Sequence, residues 1–224
     1  MANLFLGFPV SRARFADLAA SALTSLYEAT DFYYNTFFES LEGWEPFTNS
    51  PGTVTLDVDK VGLSTGIGSG GIAGILTRLA YPPVPLTWAK RRRFRLKAKV
   101  DVASDASSQV FIATGDEASN QYGFGFRFTN DKVRGFSQNG GAPAYADLVT
   151  GLTAPYSRTE LYEIDFTPGV RIEFYIDGVL KGTVTTGLPT GTTKADRLMR
   201  MIVYASTTAL HQIFTSGIQV SQDA

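Results

Sequence analysis

From about Asp31 onward, short runs of β-branched and aromatic residues alternate with turn residues at intervals of about 8 to 12, and helical periodicity does not return. Candidate strands are Thr36 to Ser40, Thr53 to Asp57, Gly62 to Thr65, Ile72 to Leu79, Arg92 to Val102, Gln109 to Thr114 and Tyr122 to Thr129. They continue with Lys132 to Gln138, Glu160 to Phe166, Val170 to Ile176, Val179 to Thr185, Leu198 to Tyr204 and Gln212 to Val220. Such a pattern predicts an all-β domain over residues 31–224, a sandwich or barrel of antiparallel strands. Asn130-Asp131 and Asp177-Gly178 each join two strands, and Asp-Gly suits the positive φ angles of a type I′ hairpin.

Two candidate strands also assign their faces, because neighbours along a strand point to opposite sides. Over Tyr122 to Thr129, Phe124, Phe126 and Phe128 share one face, and Gly123, Gly125 and Arg127 the other. The glycines leave that second face low, as a shallow groove or under a covering loop. Over Arg92 to Val102, Phe94, Leu96, Ala98 and Val100 point inward, while Arg93, Arg95, Lys97 and Lys99 form an outward basic row. Lys90 to Lys99 gathers seven of the chain's 20 basic residues. The row suits an anionic glycan, nucleic acid or an acidic neighbouring protein, or it is a solvated face that blunts edge pairing.

Residues 1–30 read differently. Phe15, Leu18, Ala22 and Leu26 recur at steps of 3 and 4, the period of one helix face, with Pro9 upstream and Ser11 as N-cap. This predicts an amphipathic helix over residues 11–29. Phe5 and Phe8 lie in the arm before it. The apolar stripe packs either on its own domain or on another molecule. The second alternative makes Phe5, Phe8, Phe15, Leu18, Ala22 and Leu26 attachment residues.

Composition removes several chemistries. With no cysteine there is no disulfide framework, thiolate nucleophile or Cys-ligated metal. His211 is the only histidine, so no multi-His metal centre forms within one chain. A net charge of −1 gives no general attraction to nucleic acid. No apolar run approaches the roughly 20 residues of a membrane helix, and no basic segment precedes Leu4 to Phe8 as a secretion signal would require. No cofactor is implied. Oxygens of Asp57, Asp59, Asp116 and Asp177 could meet around a structural calcium ion, although no EF-hand spacing supports one.

Phe37-Phe38-Glu39-Ser40-Leu41-Glu42-Gly43-Trp44, Gly52 to Asp57, Tyr122-Gly123-Phe124-Gly125-Phe126 and Val170 to Val179 together resemble the concanavalin A-like lectin/glucanase superfamily, including laminin-G-like modules. The resemblance spans about Asp31 to Ala224. It implies a two-sheet antiparallel jelly roll whose concave face holds glycans in the members that bind them. In glucanases of this superfamily, two Glu and an Asp alternate along one strand. Glu163-Ile164-Asp165 begins such a pattern, but Thr167-Pro168-Gly169 makes a turn where the third carboxylate should stand. This implies that the chain is not an enzyme. Trp44, Trp88, Tyr122, Arg127, Tyr145 and Tyr156 are the candidate ligand-binding residues, with the aromatic rings as stacking platforms for a sugar.

Superfamily members are frequent in tailed-phage particles. The expectation is a non-enzymatic virion component, a capsid decoration, fibre or tail protein made in the host cytoplasm, attached through residues 1–30 to other virion proteins or to copies of itself. The alternatives are a carbohydrate-binding module recognising a surface glycan and, after it, a glycoside hydrolase.

Overall fold

The structure, a computed structural model, describes residues 30–37, 44–57, 60–67, 70–77, 88–103, 109–115, 122–190, 200–204 and 210–223. The predicted helix over 11–29 and the attachment residues Phe5, Phe8, Phe15, Leu18, Ala22 and Leu26 lie outside these residues. The described residues contain strands and turns and no helix. The strands are β1 (Thr30–Phe37), β2 (Trp44–Asn49), β3 (Thr53–Asp57), β4 (Lys60–Ser64), β5 (Ile72–Thr77), β6 (Arg92–Val102), β7 (Gln109–Gly115) and β8 (Tyr122–Phe128). They are followed by β9 (Val133–Asn139), β10 (Ala144–Val149), β11 (Tyr156–Thr167), β12 (Arg171–Ile176), β13 (Val179–Val184), β14 (Arg200–Tyr204) and β15 (Gln212–Asp223).

They form two antiparallel sheets. Sheet A has eight strands in the order β13-β12-β11-β6-β15-β4-β3, with β1 added beside β15. The first half of β15 pairs with β4 and its second half with β1, so two short strands share one long neighbour. Sheet B has seven strands in the order β10-β9-β8-β7-β14-β5-β2. Two of these strands, β2 and β10, were not anticipated from the sequence, and both are edges of sheet B.

The core lies between the sheets and follows from alternation. On β6, Phe94, Leu96, Ala98, Val100 and Val102 are buried, while the residues between them are half-buried or exposed. From sheet B, Phe124, Phe126 and Phe128 project inward and meet Tyr162, Phe166 and Phe174 of sheet A in tilted and edge-on contacts 5.0 to 5.4 Å between ring centres. The sheets approach so closely at Gly135 that a Cβ there would lie 2.5 Å from the Phe174 ring. Along one side the edges meet, and a Cβ on Gly182 of β13 would fall 2.6 Å from Leu148 Cδ2 of β10. That closure covers two edges that would otherwise offer free backbone groups.

The Asp177-Gly178 turn is as expected, with φ of 50° and 75°. Asp177 also accepts the Leu161 N–H through Oδ1 and donates its own N–H to the Leu161 carbonyl, each at 2.8 Å. This two-point clip ties the hairpin tip to β11.

Arg92 breaks the charge-out rule. It faces inward with 2 % exposure, its guanidinium 4.4 Å from the Trp88 ring centre and its Nε donating to Gln222 Oε1 at 3.2 Å. Burial pulls its pKa down to about 9.

Candidate functional site

Because β8 turns its phenylalanines into the core, its other face presents Gly123, Gly125 and Arg127 to the outside of sheet B. Registered pairing extends this face sideways. Gly123 lies opposite Gln138, Gly125 opposite Phe136 and Arg127 opposite Arg134 on β9. On β10, Tyr145 pairs with Phe136 and Asp147 with Arg134. On the other side, Gly115 and Ala113 of β7 pair with Gly123 and Gly125. The same row continues from Arg127 to Phe111 of β7 and Ile202 of β14, and Gly123 and Gly125 are themselves buried.

Each edge strand contributes an aromatic bank. Phe47 of β2 leans over the neighbouring strand, where a Cβ on Gly74 would lie 2.3 Å from the Phe47 ring. Tyr145 reaches from β10 across β9 to β8, two strand spacings of about 4.8 Å, and Arg127 donates a hydrogen bond to its hydroxyl. The Arg127 and Arg134 guanidinium carbons lie 5.6 and 5.3 Å from the Tyr145 ring centre. Tyr145 is nonetheless 38 % exposed. Phe136 is 9 % exposed.

The electrostatics are set by a short ladder. Arg134 donates to Asp147 Oδ1 at 2.8 Å and Lys132 to Asp147 Oδ2 at 3.4 Å. Burial raises the Asp147 carboxyl pKa, and the hydrogen bonds from Arg134 and Lys132 outweigh it, leaving the group below its usual value. The outward positions of β8 and β9 carry two arginines, a glutamine and no acid. This strip of the sheet face, termed the trough, carries aromatic rings on both edge strands and guanidinium donors beside the exposed Tyr145, and is suited to a flat polar ligand with one apolar face.

The sequence-predicted residues divide. Arg127 and Tyr145 come together on this face. Trp44 and Trp88 do not; both are completely buried. Trp88 sits edge-on between Phe124 and Phe166, 5.7 and 6.0 Å away. The expectation that these tryptophans serve as sugar platforms is corrected, since large apolar rings beside the turns close the ends of the core. Tyr122 packs beneath the turn at Gly140, whose φ of +73° requires glycine. Tyr156 lies half-buried at the core margin, its hydroxyl donating to the Thr129 carbonyl at 2.6 Å, and burial raises its pKa. Phe47, Arg134, Phe136 and Gln138 complete the trough and were missed. Two of them sit opposite glycines of β8, and Phe47 lies on an unanticipated edge strand.

Glu163 and Asp165 lie on the outer face of sheet A, across the sandwich from the trough. Arg95 donates to Glu163 Oε1 at 2.7 Å, and Asp165 is held by Arg91, with Arg93 at 3.6 Å. The basic row is thus countered by acids of the next strand, and Lys99 pairs with Asp101 at 3.0 Å. His211 is buried, taking the Ala103 N–H on Nδ1 at 3.2 Å and donating its backbone N–H to Thr65 Oγ1. Among the described residues no group of three acids or histidines could hold a metal ion. Asp59 and Asp116 lie outside the described residues.

No protein-family model matches the sequence, and no curated protein matches it. Solved structures do share its fold. A protein of unknown function from Shewanella oneidensis MR-1 is similar at a TM-score of 0.61 and 12% identity, over 97% of this chain and 96% of that one. The Crh5 transglycosylase in complex with NAG gives a TM-score of 0.55 at 13% identity, over 88% and 86% of the two chains. An endo-β-1,4-glucuronan lyase from Trichoderma reesei gives 0.54 at 11% identity, over 86% and 95%. These likenesses are consistent with a concanavalin A-like fold, and they overturn the expectation that the chain is not an enzyme. The fold is shared with a transglycosylase, a hydrolase and lyases. The missing third carboxylate that motivated the expectation belongs to β11, which lies in the other sheet from the trough.

Proposed function

We propose that the chain is a saccharide-binding jelly roll of the concanavalin A-like type, which holds a glycan in the trough on the outer face of sheet B. The observation that carries the reading is Tyr145, 38 % exposed on the edge strand, fixed at its hydroxyl by Arg127 and flanked by the Arg127 and Arg134 guanidinium groups. A pyranose ring has an apolar face of axial C–H groups and a rim of hydroxyls. An aromatic ring beside guanidinium and amide groups complements both. The fold neighbours support the reading, because they include a transglycosylase solved with NAG, a glucuronan lyase and a carbohydrate recognition domain.

The test is a glycan array, followed by titration of the best oligosaccharide against Tyr145→Ala and Tyr145→Phe. Tyr145→Ala should weaken binding about tenfold or more, roughly 1.4 kcal/mol, and Tyr145→Phe should retain most of it. An array without hits, or a Tyr145→Ala protein that binds as well as the parent, would overturn the reading.

Attachment to other virion proteins or to copies of this chain through residues 1–30 is a separate proposal. The helical period of Phe15, Leu18, Ala22 and Leu26 supports it.

A further inference from the structure

We infer that Arg92 receives a small organic monocarboxylate between the sheets, at the end of the sandwich where β6 begins. The site lies on the inner face of sheet A and is independent of the saccharide reading above. Its centre is a guanidinium already held at two points. Nε donates to Gln222 Oε1 at 3.2 Å, and the guanidinium carbon lies 4.4 Å from the Trp88 ring centre. The remaining edge, Nη1 and Nη2, is buried and has no hydrogen-bond partner among the described residues. Apolar rings stand around it: Phe166 is the cross-strand neighbour of Arg92 on β11, and Trp88 packs against both Phe124 and Phe166. Burial drives the Arg92 pKa down to about 9 and no acid among the described residues opposes it, so the group is still charged at neutral pH. The approach is basic as well. Lys90, Arg91 and Arg93 flank Arg92 and are half-buried, and Ala89 before them is exposed. Asp165 is shared between Arg91 and Arg93, its oxygens 2.8 and 3.6 Å from their Nε atoms. Four consecutive cations draw anions toward this end of the sandwich.

A cation buried without a counter-charge costs stability, and a ligand that supplies the charge returns part of that cost. The edge left to Nη1 and Nη2 is a planar two-donor fork, which a carboxylate matches through two parallel N–H bonds. Charge balance selects among anions. One carboxylate neutralises one guanidinium, whereas a doubly charged sulfate would leave surplus negative charge beside Trp88, Phe124 and Phe166. The same rings favour an apolar body behind the carboxylate over a hydrated one. Gln222 and Trp88 fix the fork before the ligand arrives, so little side-chain freedom is lost on binding.

The test is a set of thermal melts of the whole protein at neutral pH, with sodium acetate or butyrate titrated against sodium chloride and sulfate at equal ionic strength. At about 100 times its Kd, a carboxylate should raise the parent's Tm by roughly 5–10 °C beyond chloride, with butyrate acting at lower concentration than acetate. Sulfate stabilises proteins generally by exclusion from their surface, so the deciding quantity is the gain of the parent over that of Arg92→Met. The carboxylate gain should vanish in Arg92→Met and fall sharply in Arg92→Lys, which keeps the charge but loses the fork. In carboxylate-free buffer Arg92→Met should be the more stable protein, and butyrate should narrow that gap. Equal carboxylate gains in the parent and Arg92→Met, no gain beyond chloride, or a larger Arg92-dependent gain from sulfate would each overturn the inference. Trp88 emission, read in a Trp44→Phe background, should change with the same saturation curve. The comparison of carboxylate with chloride on the parent decides the matter even if a variant folds poorly.

Discussion

Replacing Gly135 with Ala adds one methyl group at a point where the two sheets approach closely in the core. The new Cβ would lie 2.5, 2.6 and 2.7 Å from three atoms of the Phe174 ring, against an ordinary contact of roughly 3.5 to 4 Å. Phe174 is fully buried and packs edge-on against Phe126 with ring centres 5.4 Å apart, so it cannot swing into solvent. Relief requires the ring or a strand to shift by about 1 Å, which places the cost in the overpacking range of about 1–3 kcal/mol. Restricting the unfolded chain returns about 0.4–1 kcal/mol. The net loss should be about 1–2 kcal/mol, a fall in Tm of about 2–4 °C per kcal/mol for a chain of this size. Urea unfolding of Gly135→Ala, Phe174→Leu and the double variant should show a positive coupling of about 1 kcal/mol, because the smaller residue removes the ring edge that collides. Gly141→Ala is the control, since nothing lies within 4 Å of its would-be Cβ. A Gly135→Ala protein as stable as the parent, or additive losses in the double variant, would refute the packing argument.

Arg92→Met should raise stability at neutral pH by about 1–4 kcal/mol, because a buried guanidinium gives way to an apolar side chain of similar volume. The folded pKa of Arg92, about 9, lies below the value in the unfolded chain. Its penalty is therefore complete below that pH and is relieved above it by about 1.4 kcal/mol per pH unit. Thermal melts across pH 7 to 10.5 should show the variant's advantage shrinking above about pH 9, and a constant advantage would contradict the assignment. Deleting residues 1–29 should lower the sedimentation coefficient to that of a single domain if those residues attach copies to one another or to a particle. An unchanged assembly would exclude attachment.

How far the fold was legible in the sequence depended on which strands the core uses. The bounds of β6 follow directly from its apolar alternation, and the face of β8 from its three phenylalanines, because both strands bury one side against the opposite sheet. Asp177-Gly178 announced its hairpin by the backbone angles that the turn needs. The strands β2 and β10 carry no such signal. Trp44–Asn49 contains Pro46 and is largely exposed, while Ala144–Val149 contains two alanines and an aspartate and buries only Leu148. Those same strands supply Phe47 and Tyr145, so the banks of the trough came from the elements least marked by hydrophobic pattern. Tyr145 was singled out for its ring alone, and only strand order brought it to Arg127. Glu163 and Asp165 show the reverse limit. Alternation places them on one face of one strand, but the sheet to which that face belongs is decided by long-range pairing of β11 with β6 and β12.

The two outer faces offer two tyrosines that separate the possibilities. Tyr145 stands on sheet B, and the half-buried Tyr175 pairs with Glu163 on the outer face of sheet A. Hydroxyl-radical footprinting with and without a saturating oligosaccharide measures both in one digest. Protection of Tyr145 with Tyr175 unchanged is the result the account predicts. Protection of Tyr175 with Tyr145 still fully reactive would place the ligand on the wrong sheet and contradict it.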